Sequence, residues 1–298
     1  MHKSGFVNII GRPNVGKSTL MNALVGERMS IITPKPQTTR HRIIGILSGE
    51  DFQVVFSDTP GLIGKPSYKM QQAMNRAVQS TFEDADIMLL VTDPTEEYTP
   101  EDPLVQRLVR SEVPVFLVIN KTDLAAEALL ETVKQKWVGL LPDARIAAVS
   151  ALNKVNTDQL LQAILDTLPE GPEYYPKDQL TDRTERFFVS EIIREKILEL
   201  YQQEVPYSVE AVVTGFKEGT TKEGSPIARI EAILFVARKS QKPILIGKDG
   251  KAITTLGTEA RKAIEQCLDM KVHLDLTVKV RENWRDDEQL LRQFGYIE

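Results

Sequence analysis

Apolar residues recur along the first 170 positions in two alternating rhythms. Phe6–Ile10, Ile87–Val91 and Val115–Ile119 are short, nearly unbroken apolar runs, the mark of strands buried on both faces. Between and beyond them the apolar positions take helical spacing, over Lys17–Leu24, Met70–Phe82, Glu101–Arg110, Glu127–Val138 and Thr157–Leu168. Arg42–Ser48 and Phe52–Asp58 alternate instead and are joined by Gly49-Glu-Asp, which predicts an antiparallel hairpin at a sheet edge. Arg145–Val149 predicts one more short strand. Strands alternating with helices predict a mostly parallel α/β sheet with crossover helices, and such sheets bind ligands at the carboxyl ends of their strands.

The pattern changes after Leu168. Residues 169–178 hold Pro169, Pro172, Pro176 and Gly171, and read as a semi-rigid linker. Beyond it come a long amphipathic helix over Phe187–Gln203, strands over Ser208–Gly215 and Ala228–Ala237, and the stretch Lys242–Gly250. A helix to about Leu268 and a strand over Lys271–Val280 complete the pattern. This is a second, smaller α+β domain of α-β-β-α-α-β order. The boundaries expected from sequence are 1–170, a linker at 171–183, and 184–298.

Composition adds limits. The chain has 298 residues, 42% apolar and 27% charged, as in soluble globular proteins. No apolar run approaches the ~18 residues of a membrane span. Met1-His-Lys-Ser-Gly leads straight into a strand, so no signal peptide is expected. The single cysteine, Cys267, lies in a helical pattern; it reads as a small core residue in a reducing, cytoplasmic setting. His2, His41 and His273 show no zinc-ligand spacing. The net charge of −5 argues against a globally basic nucleic-acid binder. Yet residues 238–285 carry eleven Lys/Arg against six Asp/Glu, which suggests a local polyanion site.

The chemistry begins at the end of the first strand. Gly11-Arg12-Pro13-Asn14-Val15-Gly16-Lys17-Ser18-Thr19 has the G-x-x-x-x-G-K-S spacing between a strand and a helix. Glycines let the backbone wrap a phosphate with its N–H groups inward, and the next helix turns its positive end to the same anion. Lys17 reaches the β- and γ-phosphates and Ser18 sits on Mg²⁺. Asp58-Thr59-Pro60-Gly61 supplies a carboxylate that holds Mg²⁺ through water and a bare N–H for a γ-phosphate. Asn120-Lys121-Thr122-Asp123 selects the base: Asp123 accepts the two hydrogen bonds that guanine offers and adenine lacks. The Lys121 stem lies along the ring, Asn120 braces the phosphate loop, and Ala151, within Ser150-Ala151-Leu152, offers an N–H to guanine O6. Four motifs in this order define a GTPase.

The proline-bearing loop Ser30–Arg42 reads as a switch, with Thr39 favoured over Thr38 to close on Mg²⁺. Leu62 stands where many GTPases carry a water-orienting Gln, so a slow intrinsic rate is expected. Asn14 either ligates K⁺ beside the phosphates or satisfies loop N–H groups.

The first 170 residues resemble a translation-factor-class GTPase. Ile246-Gly247-Lys248-Asp249-Gly250-Lys251 resembles the Gly-x-x-Gly loop of a KH domain, here of type II-like order. Together with Gln37-Thr-Thr-Arg-His-Arg42, the arrangement resembles the bacterial Era family of GTPases. That resemblance implies binding near the 3′ end of 16S rRNA, a role in 30S ribosomal subunit assembly, and loose peripheral contact with the inner membrane; a monomer is expected. For RNA, the Gly247–Gly250 turn brings backbone N–H groups to a sugar-phosphate chain, beside an apolar groove at Ile244, Ile246 and Ile253. Lys248, Lys251, Arg261 and Lys262 offset the unhelpful charge of Asp249. Two other readings remain: a nucleotide-gated binding module reset by slow hydrolysis, and a membrane-associated signalling GTPase with a protein effector.

Overall fold

The computed structural model describes residues 1–297. Two compact units emerge. One comprises Met1–Lys65 and Met74–Asp182; the other comprises Pro66–Ala73 and the chain from Arg183 onward.

The first unit is built on six strands: β1 (Lys3–Ile10), β2 (Ile43–Ser48), β3 (Phe52–Asp58), β4 (Ile87–Thr92), β5 (Val115–Ile119) and β6 (Arg145–Ala148). Their spatial order is β2-β3-β1-β4-β5-β6. β2 is antiparallel to β3, the expected edge hairpin, and the other neighbours run parallel. Every residue of β4 is buried, which is why its sequence shows no alternation. The helices α1 (Lys17–Val25), α3 (Pro103–Val109), α4 (Glu127–Leu140) and α5 (Thr157–Thr167) connect and flank the strands, and α2 (Lys69–Ser80) starts in the second unit's segment Pro66–Ala73 and ends in the first. Asp102 caps α3, its carboxylate accepting from the Leu104 N–H at 2.9 Å, and Pro103 opens the helix.

Strand order reverses at β1: the chain proceeds to β3 on one side and later to β4 on the other. A crevice opens at the carboxyl end of such a strand. The Gly11–Ser18 loop starts there.

The expected semi-rigid linker is packed against the first unit. Gly171–Asp182 belongs to the first unit. Gln53 Oε1 accepts the N–H groups of Tyr174 and Tyr175 at 2.7 and 3.0 Å. Gly171 N–H donates to His2 O, and Ile46 N–H donates to Leu180 O at 2.8 Å. The Tyr174 ring packs on Phe6, with centroids 5.0 Å apart. The prolines signalled a break in regular structure correctly, but a proline-rich segment packs wherever a surface offers partners.

In the second unit, α6 (Glu185–Leu200) and the single turn α7 (Val205–Ser208) precede β7 (Val209–Thr220) and β8 (Pro226–Val236). Then follow α8 (Gln241–Ile246), α9 (Lys251–Leu268), β9 (Lys271–Val280) and α10 (Glu288–Gln293). β7 pairs antiparallel with β8, and β8 pairs parallel with β9. The α-β-β-α-α-β order is as expected, with α7 and α10 added. The core joins Ile192, Ile193 and Ile197 of α6 to Leu256, Ala260 and Ile264 of α9 over the sheet. Cys267 is exposed, against the expectation of a core residue. The apolar seam of α9 steps by fours from Leu256 through Ala260 and Ile264 to Leu268, and leaves position 267 outside it.

Candidate functional site

The nucleotide side is a cavity of about 530 Å³ in the first unit, lined by Pro13, Asn14, Gly16, Lys17, Ser18, Thr19, Thr39, Thr59, Gly61, Asn120, Lys121, Asp123 and Leu152 among others. Its floor explains the glycines. Gly16 has φ 93°, and a Cβ there would lie 2.2 Å from Asn120 Nδ2. Gly61 lies so close to the loop that a Cβ would meet Pro13 Cγ at 2.7 Å.

Lys17 is buried, and its ammonium donates to Gly11 O at 3.1 Å and Arg12 O at 2.9 Å. Burial pushes it down to about 8, although Asp58 and Glu96 pull it upward. It is a cation held ready for an anion that would restore its charge.

Ser18 Oγ donates to Asp58 Oδ2 at 2.6 Å and lies 2.9 Å from Thr39 Oγ1, which also donates to Asp58 at 3.3 Å. Asp58 is fully buried, and its second oxygen, Oδ1, has no hydrogen-bond partner. Burial raises the Asp58 carboxyl, opposed by Lys17 and by the hydroxyls of Ser18, Ser30 and Thr39. Two hydroxyls and a carboxylate with a spare oxygen form an all-oxygen donor set, which suits Mg²⁺; the cation would keep the carboxylate ionised. Thr38 also lines the cavity, but its hydroxyl donates to Lys35 O at 2.6 Å.

At the base end, Asn120 is a brace. Its Nδ2 donates to Val15 O at 2.9 Å, and its Oδ1 accepts the Ala151 N–H at 3.0 Å. Ser150 Oγ donates to Asp123 Oδ1, fixing the carboxylate from behind. Lys121, with φ 59°, donates to Asp93 Oδ2 at 2.8 Å. Burial raises the Asp93 carboxyl, but Lys121 and Thr95 outweigh it and hold it below the usual range.

The second candidate site is the turn between α8 and α9. Gly247, Asp249 and Gly250 have φ of 76°, 54° and 75°. The Gly250 N–H donates to Gly247 O at 3.3 Å. Lys248 and Lys251 are exposed, and so is Ile244.

Comparison with known proteins agrees with both sites. The family model for a 50S ribosome-binding GTPase matches residues 6–121, and that for a KH domain matches residues 204–285. GTPase Era of Clostridium novyi is 43% identical over 299 residues, covering 100% of both chains. GTPase Era of Lacticaseibacillus paracasei is 45% identical, over 99% of this chain and 97% of its own. The chain belongs to the Era GTPase family. Among solved structures, Era with MgGDPNP and nucleotides 1506–1542 of 16S ribosomal RNA is 35% identical, covers 100% of both chains and superposes with a TM-score of 0.93. A point variant of Aquifex aeolicus Era bound to GDP and aluminium fluoride is 35% identical, covers 99% of this chain and 100% of its own, and gives a TM-score of 0.92. The chain is accordingly a GTPase that hydrolyses GTP to GDP and phosphate, with GTP or GDP and Mg²⁺ as its ligands.

Several of the expected site residues already have partners within the chain of this Era GTPase. The Ala151 N–H, expected on guanine O6, is engaged by Asn120 Oδ1. Arg12, expected on the nucleotide, turns away from the cavity and pairs with Glu96 and Asp102. Asp58 reaches the cavity through the lining residues Ser18 and Thr39, which donate to it, and Leu62 packs against the core beside β4 and β5. Within the switch loop, Thr39, Arg40 and His41 are buried, while Pro34 and Pro36 are exposed. Arg261, expected on RNA, pairs at 2.9 Å with Glu265 one turn on, and Glu265 also accepts the Val272 N–H. Asp93 was not anticipated. Its signal was present: an acid directly after a buried strand, at the end of the sheet where ligands bind.

Proposed function

We propose that this Era-family GTPase binds single-stranded RNA near the 3′ end of 16S rRNA through the Gly247–Lys251 turn and acts in assembly and maturation of the 30S subunit. One observation carries the reading: a glycine-bounded turn with two exposed lysines opens an 18-residue helix, on a chain that also holds a formed nucleotide cavity. The Era complex with a 16S fragment favours a small-subunit target over the large subunit named in the family-model description. Ser18 and Thr39 would ligate Mg²⁺ directly and Asp58 through water, Gly61 N–H would meet the γ-phosphate, and Asp123 would read guanine.

With no Gln at position 62, turnover is slow and rests on charge near the β- and γ-phosphates. Asn14, exposed at the cavity with φ 66°, would ligate K⁺ there. Faster hydrolysis in KCl than in NaCl at equal ionic strength, lost in Asn14→Ala, is the expected result. We also propose a monomer that works in the cytoplasm, with any membrane contact peripheral; among the described residues no helix is long and apolar enough to cross a membrane.

The deciding experiment titrates a labelled oligonucleotide from the 3′ end of 16S rRNA into protein loaded with a GTP analogue or with GDP. A gated assembly factor gives different dissociation constants, and RNA then shifts nucleotide affinity by the same factor. Identical constants mean two independent modules on one chain.

A further inference from the structure

The phosphate loop is gripped from outside by a side chain that does not face its ligand. Arg12 Nη1 donates to Glu96 Oε2 at 2.8 Å, and Nη2 donates to Asp102 Oδ2 at 2.9 Å. The guanidinium lies 4.0 Å above the centroid of Tyr98. Two of these partners are fixed in turn. The other oxygen of Asp102 caps α3. Tyr98 is 2% exposed, and its ring packs 4.9 Å from that of Trp137.

We infer that Arg12 is a positioning residue for GTP hydrolysis: held by Glu96, Asp102 and Tyr98, it sets the loop carbonyl that orients Lys17 and keeps the loop in its phosphate-binding shape.

The loop needs such a grip. Gly11, Asn14 and Gly16 all have positive φ, and Asn14 bears that conformation with a side chain, which only a well-determined surrounding sustains. Asn120 holds one side of the loop through Val15 O. Arg12 holds the other. Its own carbonyl is one of the two that receive the Lys17 ammonium. The following residue, Pro13, forms the surface against which Gly61 closes. A shift of Arg12 therefore moves three groups that meet the terminal phosphate: Lys17, the loop N–H groups and Gly61.

Catalysis by placed charge is sensitive to such shifts, since a displacement near 1 Å can cost roughly 100-fold. Stability is not. The Arg12 side chain is 37% exposed, and ion pairs open to solvent to that degree add little to folding stability. Loss of the clamp should therefore appear in the rate and not in melting. Lysine is no substitute, because one ammonium cannot span two carboxylates as a planar fork does.

The test uses the full chain in four variants: Arg12→Met, Arg12→Lys, the Glu96→Gln/Asp102→Asn pair, and Arg12→Met combined with that pair. Asparagine keeps the cap of α3. Single-turnover GTP hydrolysis, the dissociation constant for a fluorescent GTP analogue and thermal melting are measured on each. Arg12→Met and the carboxylate pair should each slow hydrolysis about tenfold, with affinity changed less than about threefold and melting nearly unchanged. Their combination should add no further loss, since both remove one interaction. Arg12→Lys should stay close to Arg12→Met. Wild-type rates in Arg12→Met or Arg12→Lys, additive losses, or a loss confined to affinity and tracking the melting temperature would overturn the inference. If Arg12→Met does not fold, the carboxylate pair probes the same clamp from the other side, and a wild-type rate there is equally fatal.

Discussion

The two glycine-bounded loops of this chain, Gly11–Ser18 and Gly247–Lys251, invite comparison because both present backbone N–H groups at a helix start. In the first, each glycine is demanded by a neighbour: a Cβ on Gly11 would lie 2.3 Å from Val91 O, and one on Gly16 would lie 2.2 Å from Asn120 Nδ2. Lys17, the charged group, is buried and hydrogen-bonded. In the second, a Cβ on Gly250 would meet nothing within 4 Å, and Lys248 and Lys251 extend into solvent. Gly247 is the exception, packed against Ala252. The difference matches the ligands. A site that must choose one small molecule is set in advance by its own hydrogen bonds. A turn proposed to grip a polymer backbone relies on exposed charge and an open approach.

The largest expected effect breaks the first loop's selectivity. Asp123→Asn removes the acceptor for the guanine N–H pair and leaves Ser150 Oγ beside an amide. GTP affinity should fall by roughly 10⁴, with xanthosine triphosphate preferred; nucleotide competition measures it, and an unchanged preference would refute the base assignment.

Next comes the open loop. Lys248→Asp with Lys251→Asp should weaken single-stranded RNA about 10- to 100-fold and leave GTP affinity unaltered. Removing two phosphate contacts should also lower the log–log salt slope by about 1.4. Binding measured from low to high salt checks both numbers, and an unchanged slope would remove these lysines from the interface.

A smaller effect sharpens the contrast through pH. Burial holds Lys17 near 8 in the free protein, against 10.5 in an unfolded chain. Bound phosphate restores the charged form, so binding takes up a proton above pH 8. GDP affinity should be flat below pH 8 and fall by up to about tenfold per unit above it. The stability of the free protein should move the other way over pH 8–10.5, because there the unfolded chain binds more protons. Calorimetry in buffers of different ionisation enthalpy reads the proton uptake; none at pH 8.5 would contradict the buried-lysine account.

The smallest effect tests the openness of the second loop. Gly250→Ala meets no atom, and only its φ of 75° resists. A cost of about 1 kcal/mol in unfolding free energy is expected, with RNA affinity changed less than about fivefold. The same change at Gly16 should abolish nucleotide binding, because there the added carbon overlaps Asn120.

Much of this was legible in the sequence because the signals were local. Strand runs, the hairpin, the order of the second domain and the nucleotide motifs all follow from spacing within about twenty residues. What escaped depends on partners far along the chain. Nothing near Arg12 indicates that Glu96 and Asp102 receive it, and Asn120 is 31 residues from the Ala151 N–H it engages. The α6 pattern reads as amphipathic, yet Glu191 and Arg194 are buried in it as a bidentate pair; charge alone placed them in solvent. Proline content at 169–178 predicted a semi-rigid linker, but the Gln53 amide groups that bind the segment lie some 120 residues earlier.

That strap has a consequence for how the chain is made. A nascent polypeptide emerging from N- to C-terminus lays down β1, β2 and β3 early, but the Gln53 side chain, the Phe6 ring and the Ile46 N–H find their partners only when Tyr174, Tyr175 and Leu180 have been synthesised. The first unit is therefore completed by its last dozen residues, just before the chain passes at Arg183 into the longer segment of the second. Cutting the gene at codon 170 would leave these groups uncovered, whereas a cut after codon 182 would keep all three of them covered.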